Sequence, residues 1–351
     1  MGIFFAGTII FQSEKWRAQG DSLALSRLSL RRSEFPLKTA MLPFKLVYHP
    51  RYDLNLGPHV FPSQKFKLVR DALLEEHIAD EADFLEAPPA PDEDVLRVHT
   101  AAWVHKLKAD ALTLSERMKL EIPYSQAAVE AFWLAAGGST LAGKHAVTDG
   151  FSANLGGGFH HAYPGHGEGF CMIHDVAIAI RALQAQGVIR SAMTVDTDVH
   201  HGNGTAAIFA NDASVFTLSI HQENNYPMPK PPSDEDIGLE DGTRDAEYLD
   251  ALEEGLLHAL KQMTPDMIFY VGGADPFRED QLGGLALTLE GLQRRDRLVF
   301  EHARKRGIPV ASTMAGGYAR RVADTVRIHV NTILAARDVA LQVAPSSSPK
   351  P

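Results

Sequence analysis

From Leu46 onward, short runs of apolar residues alternate with longer stretches whose apolar positions recur at helical spacing. Leu46-Val47-Tyr48 opens the series as a strand. Phe66, Val69 and Leu73 then share one face of a helix between Ser63, the candidate N-cap, and His77. An alanine-rich helix is predicted from about Ser125 to Val147, carrying Phe132, Trp133 and Leu134 and ending at the Asp149-Gly150 turn. Further apolar runs read as strands at Ser152 to Leu155, Ala192 to Val195, Val215 to Ile220, Met267 to Val271 and Val310 to Thr313. Helical patterns fall between them at Asp175 to Gln186, Asp245 to Met263 and Leu287 to Arg306, and a closing helix spans roughly Arg320 to Val339. This alternation predicts an α/β fold: a single open, mainly parallel sheet with helices on both faces.

Neither an internal repeat nor a Pro/Gly/Ser linker divides residues 42 to 340, so residues 41–340 are expected to form one domain. Residues 1–40 differ: Met1 to Phe11 is short and apolar, and Lys15 to Lys38 is rich in Ser, Leu and Arg. They read as a poorly ordered extension, with Met41 an alternative start. The Pro/Ser-rich end, within residues 341–351, reads as a disordered tail. With 351 residues, 45% hydrophobic and 22% charged, the chain can bury a large core. Its net charge of -10 lacks the basic footprint of a nucleic-acid binder, so no direct nucleic-acid contact is expected. One cysteine, Cys171, excludes an internal disulfide and suits a reducing cytoplasm. No run of 18 apolar residues predicts a membrane span.

In open α/β sheets, ligands bind beyond the carboxyl ends of the strands. The residues just past each strand are therefore informative. After Leu155 comes Gly156-Gly157-Gly158-Phe159-His160-His161, and after Val195 comes Asp196-Thr197-Asp198-Val199-His200-His201-Gly202-Asn203-Gly204. After Val271 come Gly272-Gly273-Ala274-Asp275 and then Asp280; after Thr313 comes Met314-Ala315-Gly316-Gly317-Tyr318. These strand ends feed one crevice with His, Asp and Tyr set among glycines.

Asp198 and His200 are two apart, so an extended segment points both the same way. With Asp280 as candidate third ligand, two oxygens and one nitrogen suit a catalytic Zn2+, and Fe2+ or Co2+ also fit. Alone, Asp-x-His is equally a solvated loop; the company of Asp280 and the paired histidines favours the metal. His160 and His161 are candidates for acid and base, since imidazole titrates near neutrality. Tyr318, after two glycines, can aim a neutral phenol at a substrate carbonyl and stabilise an oxyanion. His201 is expected to face away from the metal as a buried, hydrogen-bonded residue. Cys171 reads as a small core residue, and Ser233-Asp234-Glu235-Asp236 as a solvated loop near the rim, where it could steer cationic substrates.

The order and content of these segments resemble the histone deacetylase and acetylpolyamine amidohydrolase superfamily, of arginase-like fold. The likeness extends over about residues 45 to 335 and includes Gly169-Phe170-Cys171 and Leu282-Gly283-Gly284-Leu285. Tyr48-His49-Pro50-Arg51-Tyr52, Gly137-Gly138-Ser139 with Ala142-Gly143-Lys144, and Arg295-Asp296 with Leu298-Val299-Phe300 are similar to class IV members.

The resemblance implies zinc on Asp198, His200 and Asp280, an acid/base pair at His160 and His161, and Asp196 orienting His160. It further implies Tyr318 on the carbonyl, the Gly169 carbonyl on the substrate amide, and Phe170 as one wall of an acyl-lysine tunnel. A monovalent cation such as K+ would take oxygens from Asp196, Asp198, His200 and Ser219. The implied activity is hydrolysis of N-acyl amines: acyl-lysine in peptide or protein, acetyl or longer, or an acylated polyamine. A manganese ureohydrolase would leave Tyr318 unexplained, and a non-catalytic acyl-lysine binder would leave the full residue set unused. Two positions depart from the family pattern: Asn203 stands where many relatives have Asp behind the second histidine, and His174 replaces an Asn. Tyr226 is the candidate second wall aromatic.

Overall fold

A computed structural model describes residues 41–342. The expectations for residues 1–40 and for the tail from 343 onward lie outside the described residues. In chain order the elements are β1 (Leu46–Tyr48), α1 (Lys65–Glu75), β2 (Phe84–Glu86), α2 (Asp92–Val95), α3 (Ala101–Lys108), α4 (Leu114–Leu120) and α5 (Gln126–Asp149). Next come β3 (Phe151–Asn154), α6 (Asp175–Ala185), β4 (Ala192–Asp196), α7 (Asn203–Phe209), β5 (Val215–Gln222) and β6 (Glu235–Leu239). The last are α8 (Asp245–Gln262), β7 (Met267–Gly272), α9 (Leu289–Lys305), β8 (Val310–Met314) and α10 (Val322–Leu341).

The strands form one sheet in the order β2-β1-β3-β8-β7-β4-β5-β6, and every pairing is parallel. Strand β7 shows why both faces are covered. Successive side chains point to opposite sides: Phe269 lies under α5 beside Gly143, where a Cβ would come within 3.2 Å of its ring, whereas Tyr270 packs edge-on against Phe300 of α9. Every residue of β7 and β8 is buried, as a parallel sheet covered on both faces requires.

The long helix α5 begins where Ser125 accepts the Ala128 N–H and ends at Gly150, whose φ of +82° closes the helix in the left-handed region. His174 caps α6 through Nδ1, accepting the Ala177 N–H, while its Nε2 meets the Thr205 hydroxyl at 2.8 Å.

The structure corrects three expectations. Ser63 does not cap α1: its hydroxyl donates to Asp53 at 2.5 Å and accepts the Leu54 N–H, and the helix starts after Gln64 without a side-chain cap. The acidic stretch is no simple solvated loop. Glu235 starts edge strand β6, Asp234 accepts from the Thr217 N–H and hydroxyl, and Asp236 holds the Ser233 N–H. Paired on one side only, the edge strand tolerates consecutive acids: Glu235 reaches His258 and Asp236 reaches buried His201. Finally, the closing helix continues to Leu341, into the stretch expected to be tail.

Buried His99 makes one stability prediction. Its Nδ1 lies 3.0 Å from the Tyr163 carbonyl and its Nε2 accepts the His174 N–H at 2.9 Å, so only the neutral ring fits. Burial lowers its pKa to about 4, against the opposing pull of the backbone carbonyl. The folded-state value lies below the unfolded one, so the stabilisation is complete above about pH 6.5 and is lost as pH falls towards 4. Denaturant titrations at pH 7 and 4.5 should differ by about 2–3 kcal/mol more in the wild type than in His99→Gln. Glutamine keeps a donor and an acceptor but does not titrate; equal losses in the two chains would contradict the account.

Candidate active site

The loops after β3, β4, β7 and β8 meet because these four strands are neighbours at the sheet centre. Asp198 leaves β4 with Oδ1 3.0 Å from His200 Nδ1 and Oδ2 accepting the Gly316 N–H at 2.7 Å. Asp275, after β7, holds the Val199 N–H with Oδ1 at 2.9 Å. Its Oδ2 is buried without a hydrogen bond, 3.4 Å from His200 Nδ1. Thus the structure gathers Asp198, His200 and Asp275, whose donor atoms lie within 4.8 Å of one another.

Asp280 is adjacent rather than part of that tight group. Its Oδ1 accepts the Leu282 and Gly283 N–H groups at 2.8 and 3.0 Å, and its Oδ2 accepts the Tyr318 N–H at 2.7 Å. Gly316 makes the crowding possible: a Cβ there would come 1.9 Å from Asp275 Oδ2 and 2.5 Å from Asp198 Oδ2.

Charge follows from this crowding. Burial disfavours charged His200, yet Asp198 and Asp275 outweigh it and raise its pKa to about 10. Asp275 moves the other way, upward, because it is buried beside the Asp198 carboxylate. Lys65, fully buried, donates Nζ to the Ala315 carbonyl and lies 5.3 Å from the Phe61 ring centroid. Burial lowers its pKa to about 8 against the pull of the same aspartates. Beneath the site, Arg295 donates to the carbonyls of Thr197 and Gly273 at 3.2 and 2.7 Å, so one guanidinium braces the segments leading to Asp198 and Asp275.

The histidine pair is differentiated. His160 Nδ1 lies 2.7 Å from Asp196 Oδ2; burial would lower its pKa, but Asp196 and Asp198 prevail and raise it to about 9. His161 Nδ1 lies 2.7 Å from Asn203 Oδ1, and burial together with neighbouring His160 holds it well below the usual value. The surroundings thus bias His160 towards the charged form and His161 towards the neutral one. The two centroids are 4.0 Å apart.

Phe61, His160, His161, Gly169, Phe170, Asp198 and Tyr318 line one cavity. Phe170 stacks on Phe61 at 6.0 Å, and both meet the Tyr318 ring edge-on at 5.9 and 6.1 Å. Tyr226, the candidate second wall, lines a neighbouring pocket with Glu168 and Asn203 and sets its ring edge-on to His161 at 5.0 Å. Gly169, at φ +54°, has no room for a Cβ, which would sit 2.6 Å from His161. The Gly169 carbonyl accepts the Cys171 thiol at 3.3 Å, and burial pushes that thiol's pKa well up, which suits a structural cysteine. The Tyr318 hydroxyl has no hydrogen-bond partner among the described residues, and burial keeps the phenol protonated.

Of the expected cation oxygens, Asp196 and Ser219 are register partners on β4 and β5, and the Ser219 hydroxyl meets His221 Nδ1 at 3.0 Å. His201 is turned elsewhere, fully buried, with Nε2 3.1 Å from Asp236 and its ring edge-on to His221. Sequence reasoning assigned no role to Asp275, Phe61, Lys65 or Glu168. Asp275 alone carried a signal, its place at the end of a central strand.

Residues 59–333 match the model of the histone deacetylase domain. An uncharacterized protein of Picosynechococcus sp. is 41% identical over 298 residues, 84% of this chain and 99% of that protein. Histone deacetylase 2 of Arabidopsis thaliana is 29% identical over 320 residues, covering 86% and 83% respectively. A solved histone deacetylase homologue from Aquifex aeolicus superposes with a TM-score of 0.72 at 24% identity, over 86% of this chain and 85% of that one, a likeness of fold. Among the described residues no helix is long and apolar enough to cross a membrane.

Proposed function

Because the chain belongs to the histone deacetylase family, we propose that it hydrolyses N-acyl amines, with acyl-lysine in peptides or proteins as the leading substrate. Acylated polyamines are the alternative of the same chemistry. The observation that carries the reading is the unpartnered Tyr318 hydroxyl in a cavity shared with both histidines and Asp198. The donor set fits a divalent cation: buried carboxylates surround one imidazole, and Asp275 Oδ2 lacks a hydrogen bond. Asp198, His200 and Asp280 would hold it, zinc being the first choice over ferrous iron or cobalt. Asp275 Oδ2, 3.4 Å from the same His200 Nδ1, would add negative charge beside the ion. When bound, the ion supplies Lewis acidity towards the substrate carbonyl and the attacking water.

The chain's own residues do the rest. Phe61, Phe170 and Tyr226 enclose the acyl-bearing side chain and keep bulk water out. His161, neutral, takes the proton of the attacking water at Nε2. His160 stays charged against Asp196, stabilises negative charge on the reacting centre and can return a proton to the departing amine. Tyr318 donates its hydroxyl to the carbonyl oxygen as charge builds there. A monovalent cation at Asp196, Asp198, His200 and Ser219 would stiffen the loop below. Similarity to class IV members extends the expected acyl range from acetyl to long fatty chains.

The test is a panel of acyl-lysine peptides from acetyl to myristoyl, with acetylated polyamines, assayed with added zinc and with a chelator. Turnover that disappears on chelation and returns with zinc is expected. Tight peptide binding by the zinc-loaded protein, with no acyl release from any substrate, would overturn the reading in favour of a binding protein.

A further inference from the structure

Asn203 poses a problem that the fold solves elsewhere. A carboxylate behind a catalytic imidazole accepts the Nδ1 proton and thereby fixes the tautomer. An amide does not, because its oxygen and nitrogen have the same shape and either can face the ring. With nitrogen forward, the His161 proton moves to Nε2 and the base disappears.

We propose that Glu168 is the positioning residue that sets the tautomer of His161, acting through the side-chain amide of Asn203. The inference rests on the assignment of His161 as base. Glu168 Oε1 lies 2.6 Å from Asn203 Nδ2 and accepts the Tyr226 hydroxyl at 2.9 Å, while Oε2 meets His166 Nε2 at 3.0 Å. A carboxylate has no proton to give. It must therefore face the NH2 of Asn203, which leaves Asn203 Oδ1 towards His161 Nδ1 at 2.7 Å. That oxygen accepts only from an Nδ1–H, so the lone pair stays on Nε2, on the opposite edge of the ring. Rotating the amide would set its oxygen against Glu168 at hydrogen-bond distance, two acceptors with no proton between them. Hydrogen bonds to Glu168 keep it ionised against the cost of partial burial.

The backbone builds this device into the wall of the cavity. Glu168 precedes Gly169 and Phe170, both left-handed at φ +54° and +69°, and its carbonyl accepts the Cys171 N–H at 2.9 Å. The same tight turn that carries Phe170 to the cavity therefore carries the carboxylate behind Asn203. Glu168 also holds the Tyr226 hydroxyl, and the Tyr226 ring stands edge-on to His161.

The experiment compares Glu168→Leu, Glu168→Gln and the double variant Asn203→Asp/Glu168→Leu, as full chains with zinc. For Glu168→Leu, kcat should fall about tenfold or more with KM within about threefold. Glu168→Gln, nearly the same shape, should lose less, because its amide can still accept from Asn203. The double variant places a carboxylate directly on His161 and should recover kcat to within about threefold of wild type. A role limited to holding Tyr226 or His166 would not be rescued this way.

A readout independent of turnover is the 15N spectrum of histidine-labelled protein. The wild type should show the Nδ1–H form of His161, and Glu168→Leu a mixture. The proposal falls if wild-type His161 carries its proton on Nε2, if Glu168→Leu keeps kcat within twofold, or if the double variant is no better than Glu168→Leu. A wild type with the Nδ1–H form, disturbed in Glu168→Leu, but without activity on any acyl amine, supports this inference and removes only the assigned reaction.

Discussion

Tyr318→Phe is expected to lower kcat on acyl-lysine peptides about 100- to 1,000-fold while leaving KM and the unfolding temperature nearly unchanged. The hydroxyl has no protein partner among the described residues, so its loss strands no buried group and opens no gap in the ring packing. Phe61, Phe170 and His200 touch the ring rather than the oxygen. The backbone N–H of residue 318 still reaches Asp280 in the variant, so the loop keeps its anchor. What disappears is one pre-aimed donor whose value rises as the carbonyl oxygen gains charge, which is why kcat and not KM carries the effect. Steady-state kinetics beside thermal unfolding would check it. A variant within threefold of wild-type kcat would remove Tyr318 from the chemistry; an equal loss in stability would mean that the hydroxyl is structural.

Much of this architecture was legible in the chain because parallel strands buried on both faces are short, mainly apolar runs without charged residues. Strands β4, β5, β7 and β8 read that way up to their carboxyl ends. Their carboxyl ends had to converge, which brought His160, Asp198 and Tyr318 into one reading without any contact being known. Edge strands β2 and β6 escaped notice for the opposite reason: paired on one side only, they tolerate Glu and Asp, residues that sequence patterns assign to loops. Lys65 and Glu168 were illegible for a related cause. A lysine in the first turn of an amphipathic helix and a glutamate between two glycines look solvated by type. Only tertiary packing buries Lys65 under Ala315 or turns Glu168 towards Asn203. Asp275 went unassigned beside Asp280, five residues further along the same loop, because spacing alone does not say which carboxylate reaches a cation.

That distinction yields the second large effect. In equilibrium dialysis against zinc, Asp280→Asn is expected to weaken binding about 1,000-fold, whereas Asp275→Asn should weaken it only about 10- to 100-fold. The assignment rests on exposure and connection. Asp275 is fully buried on the Nδ1 edge of His200, with one oxygen committed to Val199 N–H, whereas Asp280 sits at 9% exposure and is joined to the Tyr318 backbone. A ligand on the Tyr318 side would hold the ion near the substrate carbonyl; a carboxylate deeper in the site would add charge beside it without binding it. In Asp275→Asn the new NH2 can donate to His200 Nδ1 and compete with the metal for that lone pair, which accounts for a moderate loss. Removing the Asp275 charge relieves like-charge repulsion, so that variant should be at least as stable as wild type when metal-free. Asp280→Asn loses an acceptor for the Tyr318 N–H or for the Leu282 and Gly283 N–H groups and should be less stable. Both should gain less from added zinc. Metal content near wild type in Asp280→Asn, with none in Asp275→Asn, would exchange the two roles and make Asp198, His200 and Asp275 the ligand set.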